Sequence, residues 1–160
     1  MKWIDGSQID RNTLTGETVC EKLTQELWEY DRSQWLNWPD CFQTAAFLID
    51  FDTELQMEGI FTFLENSIGH YAPEIIKAFR TIGDEKDAEI LSEICRLVPP
   101  DVVRGESSDN HQEYEISSFQ EDHALCEETV NKIEALENQL YLNTDSDIWQ
   151  MLFAYLDSQL

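Results

Sequence analysis

Apolar residues recur at helical spacing through most of this chain, and Gly and Pro fall between the periodic stretches, where helix punctuation belongs. Asn12 can cap a first helix running to about Asp31, with Leu14, Leu23, Leu27 and Tyr30 among its apolar positions. A second segment, 41–51, carries Phe42, Ala45, Ala46, Leu48 and Ile49, and continues or restarts through Leu55 to Glu65. Asn66 to Gly69 reads as a stop, after which Pro73 suits the first position of a helix with Ile75, Ile76 and Phe79 on its core stripe. That helix ends at Gly83, and Asp84 caps another with Ala88, Leu91, Ile94 and Leu97 on one face before Pro99-Pro100. Residues 101–112 form a polar loop. Ser118 and Glu121 fit a capping box opening a long helix with Leu125, Ile133, Leu136 and Leu140. Thr144 or Asp145 starts a last one through Ile148, Trp149, Leu152, Phe153 and Leu156. No alternating strand pattern of useful length is present, so the expectation is an all-α, single compact domain of six to seven helices spanning 1–160.

Charge changes the picture more than any motif does. The chain has 33 acidic and 10 basic residues, a net charge of −23, without an acidic tail to account for it. The excess is 11 up to Pro100 and 12 in the 60 residues after it. Hydrophobic content of 42%, with five Trp and eight Phe, argues against disorder. A charge this far from zero opposes compaction through self-repulsion, so many carboxylates must meet solvent or a basic partner. The same charge repels nucleic acid and anionic lipid, making direct binding to either a poor expectation. The opening Met1-Lys2-Trp3-Ile4-Asp5 lacks the apolar run of a signal peptide, and no stretch approaches transmembrane length. Cys20, Cys41, Cys95 and Cys126 are scattered with no C-x-x-C pair, as expected of buried thiols in a reducing cytoplasm.

The stretch Glu54-Leu-Gln-Met-Glu-Gly-Ile-Phe-Thr-Phe-Leu-Glu-Asn-Ser-Ile-Gly-His-Tyr-Ala-Pro-Glu74 is followed by a helix ending in Thr81-Ile-Gly-Asp and then Ala88-Glu-Ile-Leu91. These residues resemble a family of small acidic bacterial domains of otherwise unknown function. The best-known member of that family is described as a mimic of double-stranded DNA. Leu136, Leu140, Tyr141 and Asp147-Ile-Trp-Gln-Met-Leu-Phe-Ala-Tyr155 are similar to the family's closing helices, so the likeness covers roughly 50–156. The family's Asn-Gly is replaced by Met57-Glu58 and its Gln by Thr62, and of its glycine pair only Gly59 remains, while Phe63 and Leu64 persist. The resemblance implies an all-α fold and a cytoplasmic protein, and implies no catalytic residues.

Carboxylates three or four apart on a helix lie about 5–6 Å from one another on one face. Duplex DNA carries one charge per about 1.7 Å of axis, so several adjacent acidic faces are needed to imitate it. Candidate rows are Glu17 with Glu21, Glu26 with Glu29, and the i, i+4, i+8 series Asp50, Glu54, Glu58. Glu127, Glu134 and Glu137 make a further set, with Glu121 and Glu128 on a neighbouring stripe. Ordinary solvated faces mix Lys with Glu, whereas most of these rows have no Lys at facing positions. Pairing two copies of the domain would lengthen the acidic track, which makes a homodimer plausible.

Other chemistry is thinly supported. His123, Cys126 and Glu127 could contribute to a metal site, but no second cluster completes a ligand set, so no metal or cofactor is expected. No phosphate-binding glycine loop, nucleophile elbow or Cys–His arrangement is visible. Trp35 and Trp38 are either core or an exposed interface anchor. Three functional readings follow. The first is a non-enzymatic DNA mimic that covers the basic surface of a transcription factor, nucleoid protein or nuclease. The second is an immunity or antitoxin-like protein neutralising a basic toxin. The third is a small-molecule binder or enzyme using the 101–112 loop.

Overall fold

The computed structural model describes residues 1–98 and 126–160, and among these the secondary structure is helical, with one isolated bridge between Lys2 and Gln8. The eight α-helices are α1 (Gly16–Glu26), α2 (Arg32–Trp35), α3 (Asp40–Met57), α4 (Gly59–Glu65), α5 (Ala72–Thr81), α6 (Glu85–Leu97), α7 (Glu127–Glu137) and α8 (Ile148–Gln159). Short 3₁₀ turns occupy Leu27–Glu29, Ser67–Tyr71 and Tyr141–Asn143. The all-α expectation holds, and the count among the described residues exceeds it by the single turn of α2. Ser118, Glu121 and the 101–112 loop lie outside the described residues.

Helix α3 is the centre of the fold. Cys41, Phe42 and every position from Thr44 to Phe51 are buried, so this helix has no solvent face over most of its length. It packs against α1, α4, α5 and α8, while α6 packs on α5 and α7 on α6. Ring contacts carry the core across elements: Phe51 of α3 meets Phe63 of α4 at 4.9 Å and Phe79 of α5 at 5.7 Å. Phe79 in turn reaches Tyr141 at 6.0 Å. Each fully buried ring or branched aliphatic side chain contributes about 1.5–3 kcal/mol relative to exposure, which is how so charged a chain stays folded.

Helix starts differ from expectation where several caps compete. Thr15, not Asn12, caps α1, its hydroxyl accepting from the Thr18 amide at 3.3 Å while Thr18 Oγ1 accepts from the Thr15 amide at 2.8 Å. Helix α8 is capped by Asp147 rather than Thr144 or Asp145, with Oδ1 accepting from the Trp149 and Gln150 amides at 3.1 and 3.2 Å. Gly59, at φ +84°, separates α3 from α4. Pro73 and Asp84 stand where the sequence predicts them, at the starts of α5 and α6.

Candidate docking surface and the buried carboxylates

The acidic positions divide by where their helices point. On α1, Val19, Leu23 and Leu27 face the core, which turns Glu17 and Glu21 outward. Positions 17, 21, 24 and 28 share one side of a helix at this spacing. The outward stripe therefore runs from Glu17 through Glu21 to Trp28, which is 49% exposed. The Trp28 indole N–H donates to the Thr24 carbonyl at 2.8 Å, fixing the ring in place, and Glu29 follows it on the surface. Glu26 is different. It accepts from the Trp3 indole at 2.5 Å and from Lys22 at 2.9 Å, and Lys22 also sits 4.6 Å from the centre of the Trp3 ring.

A second acidic surface forms where α7 meets the break between α3 and α4. Glu137 Oε2 accepts the Ile60 amide at 2.8 Å, supplying the cap that Glu58 and Gly59 do not provide locally. This contact sets the C-terminal turn of α7 beside exposed Glu58, with Glu134 and Glu127 exposed along α7. Glu128 pairs with Lys132 at 3.1 Å, an exposed pair whose net worth is about 0.2–1 kcal/mol. Glu121 lies outside the described residues.

The row Asp50, Glu54, Glu58 is not a surface stripe. Asp50 is only 2% exposed and is gripped by Arg32, whose Nε and Nη2 reach its two oxygens at 2.6 and 3.2 Å. Arg32 Nη1 also donates to Ser67 Oγ at 2.9 Å, so the guanidinium ties α2, α3 and the 67–71 turn together. Burial pushes the Asp50 carboxyl up and the Arg32 bonds pull it back. Burial likewise works against the Arg32 charge, but the Asp50 bonds prevail and its pKa is raised. Glu54 is half-buried and accepts from the Asn66 amide group, with burial raising its pKa. Of this row, only Glu58 is free to meet a partner.

Five of the ten bases are already engaged. Lys22, Arg32, Arg80, Arg96 and Lys132 each have a carboxylate partner. Glu17, Glu21, Glu29, Glu58, Glu127 and Glu134 form no ion pair among the described residues. Of the two readings left open for Trp35 and Trp38, the core reading holds. Trp35 is 1% exposed and stacks at 5.9 Å on Trp38, which is half-buried against Tyr30. Trp28 was the missed residue, and its position one step past the 19, 23, 27 stripe is the signal that marks it.

Cys20 and Cys41 are buried, and burial pushes the Cys20 thiol up to about 12, while Cys126 is exposed beside Thr129. The buried-thiol expectation therefore fails at Cys126, because the first turn of α7 lies on the surface. Among the described residues no group of three or more His, Cys, Asp or Glu is arranged to hold a metal ion. His111 and His123 lie outside the described residues, and His70 is exposed with its ring against Tyr71. A cavity of about 350 Å³ opens between α3 and α5, where Asp40, Thr44, Glu74 and Lys77 meet Phe47 and Tyr155. Among the described residues no helix is long and apolar enough to cross a membrane.

No curated protein and no solved structure matches the chain. A family does: residues 36–159, most of the sequence and every helix from α3 onward, match the DMP19-like protein family, and the chain belongs to it.

Proposed function

We propose that this protein is a non-enzymatic, cytoplasmic DNA mimic, which docks its exposed carboxylates on the basic surface of a DNA-binding protein and blocks access to DNA. The observation that carries this reading is the set of outward carboxylates that form no ion pair among the described residues. Membership of the DMP19-like family, with its association with DNA mimicry, supports the same reading. Glu17, Glu21 and Glu29 around Trp28 form one contact surface, and Glu58 with Glu127 and Glu134 forms the other. Trp28 adds a rigid apolar anchor of the kind that concentrates binding energy at interfaces. Docking would release the counterions held by both charged surfaces, so affinity should fall steeply as salt rises.

The test is capture from nuclease-treated host lysate on the immobilised full chain, with elution by a salt gradient and identification by mass spectrometry. Each captured protein is then competed with duplex DNA. A DNA-binding protein displaced by both salt and duplex is the expected outcome. A partner that binds this chain and DNA simultaneously would sink the reading. An enzymatic toxin whose inhibition is indifferent to DNA would replace it with the immunity-protein alternative.

A further inference from the structure

Asp84 and Asp87 are 5% and 0% exposed, and one oxygen of each, Oδ2, is buried with no hydrogen-bond partner. The backbone explains how two acids came to share this place. Gly83, at φ +90°, closes α5: its amide donates to the Arg80 carbonyl at 3.0 Å and the Asp84 amide donates to the Phe79 carbonyl at 2.9 Å. Asp84 then caps α6, with Oδ1 accepting the Asp87 amide at 3.1 Å. An acid at Asp87's position ordinarily reaches back to the amide of the capping residue. Here that amide is already bonded to Phe79, so Asp87 turns instead to Tyr141, whose amide donates to its Oδ1 at 2.9 Å. The Tyr141 hydroxyl continues the connection to Asp52 Oδ1 of α3 at 2.6 Å.

Two buried carboxylates with unpartnered oxygens, joined through the Asp87 amide at the start of one helix, are a costly arrangement if both are ionised. A single proton held by the pair removes one charge and supplies a donor where none is present. We propose that Asp84 and Asp87 bind one proton between them in the folded protein, and that this proton acts as a pH-sensitive clasp within the first turn of α6. The charged and titratable groups around the pair are Lys86 on α6, Tyr141, and Asp52 of α3 behind the Tyr141 hydroxyl. Lys86 favours ionisation of Asp87, but burial and then the Asp84 carboxyl outweigh it, pushing Asp87 up to about 7 from 3.8.

The sign of the linkage follows. A carboxyl whose folded pKa is raised contributes stability that is fully present below its unfolded value, near 3.8, and is lost as pH rises through about 7. Within that window the contribution of one proton to the folding equilibrium constant falls about tenfold per pH unit.

Asp87→Asn separates this function from simple packing. Its amide oxygen can still accept from Tyr141, and its NH₂ can supply to Asp84 the donor that the proton supplies. Denaturant unfolding of the full chain is measured from pH 5 to pH 8.5 for the parent and for D87N. The expected result is that D87N gains on the parent by up to about tenfold per pH unit up to pH 7, then runs parallel to it. Parallel profiles throughout would overturn the proposal. Asp84→Asn, which keeps a good capping residue, is the second variant and should flatten the profile likewise. Carbon-13 NMR of the native side-chain carboxyls decides independently of either variant's folding. A midpoint near 7 for the pair supports the clasp, and ordinary midpoints below 5 for both overturn it.

Discussion

Asp50 and Asp87 on the inside, Glu17 and Glu134 on the outside, are carboxylates of one chain with opposite demands on their surroundings. The inner ones have lost water, so each must find a guanidinium, an amide, a hydroxyl or a proton in its place. The outer ones keep their water and have no ion-pairing base among the described residues. Net charge alone therefore overstates the surface that a partner can meet. The teaching is that −23 is a sum over two populations, one holding helices together and the other repelling its own kind.

The comparison breaks most sharply at Arg32. Arg32→Ala would leave Asp50 buried without its counter-charge, at a cost of about 3–5 kcal/mol. Denaturant unfolding measures this, and a loss under about 1 kcal/mol would place Asp50 with the solvated population. A smaller effect is expected from Tyr141→Phe, which removes only the hydroxyl bond to half-buried Asp52. About 1 kcal/mol should be lost, and an unchanged midpoint would show that water replaces the phenol there.

The outer population should hardly register in stability. Glu17→Gln, Glu21→Gln, Glu58→Gln and Glu134→Gln should each move stability by no more than about 0.5 kcal/mol. Combined, they should weaken partner binding and flatten its salt dependence, as read by affinity at several ionic strengths. If the quadruple variant binds as tightly as the parent, the outer carboxylates are not the docking surface. Trp28→Ala sharpens the same comparison, since loss of affinity with an unaltered salt slope would assign the indole an apolar rather than electrostatic role.

Much of this was legible in the chain because 3.6-residue spacing survives wherever one face is buried. The stripe of α6, the Pro73 start and the Asp84 cap all follow from local residues. Asp50 was misplaced for a physical reason. Spacing of i, i+4, i+8 says that three carboxylates share a side of a helix, but not which way that side faces. Along α3 nearly every position from Cys41 to Phe51 is buried, so an outward side starts only further along. A lone acid in that apolar run was the available warning, and its partner Arg32 lies 18 residues earlier on another element. The caps of α1 and α8 failed differently, because Asn12, Thr13 and Thr15, or Thr144, Asp145 and Asp147, are all competent residues. Packing chooses among them: Gly16 lies so close to α8 that an added Cβ would fall 2.3 Å from the Phe153 carbonyl oxygen, fixing where α1 begins.

The bond from Ile60 to Glu137 spans 77 residues of chain. Helix α4 has seven residues and no side-chain cap from its own flanks, far below the length at which an isolated helix persists in water. Its first turn is thus completed by a distant helix, so α4 cannot be an early, autonomous nucleus of folding. It forms together with the docking of α7, and the amides of 60–65 should become protected in step with those of α7 rather than with α3 next door.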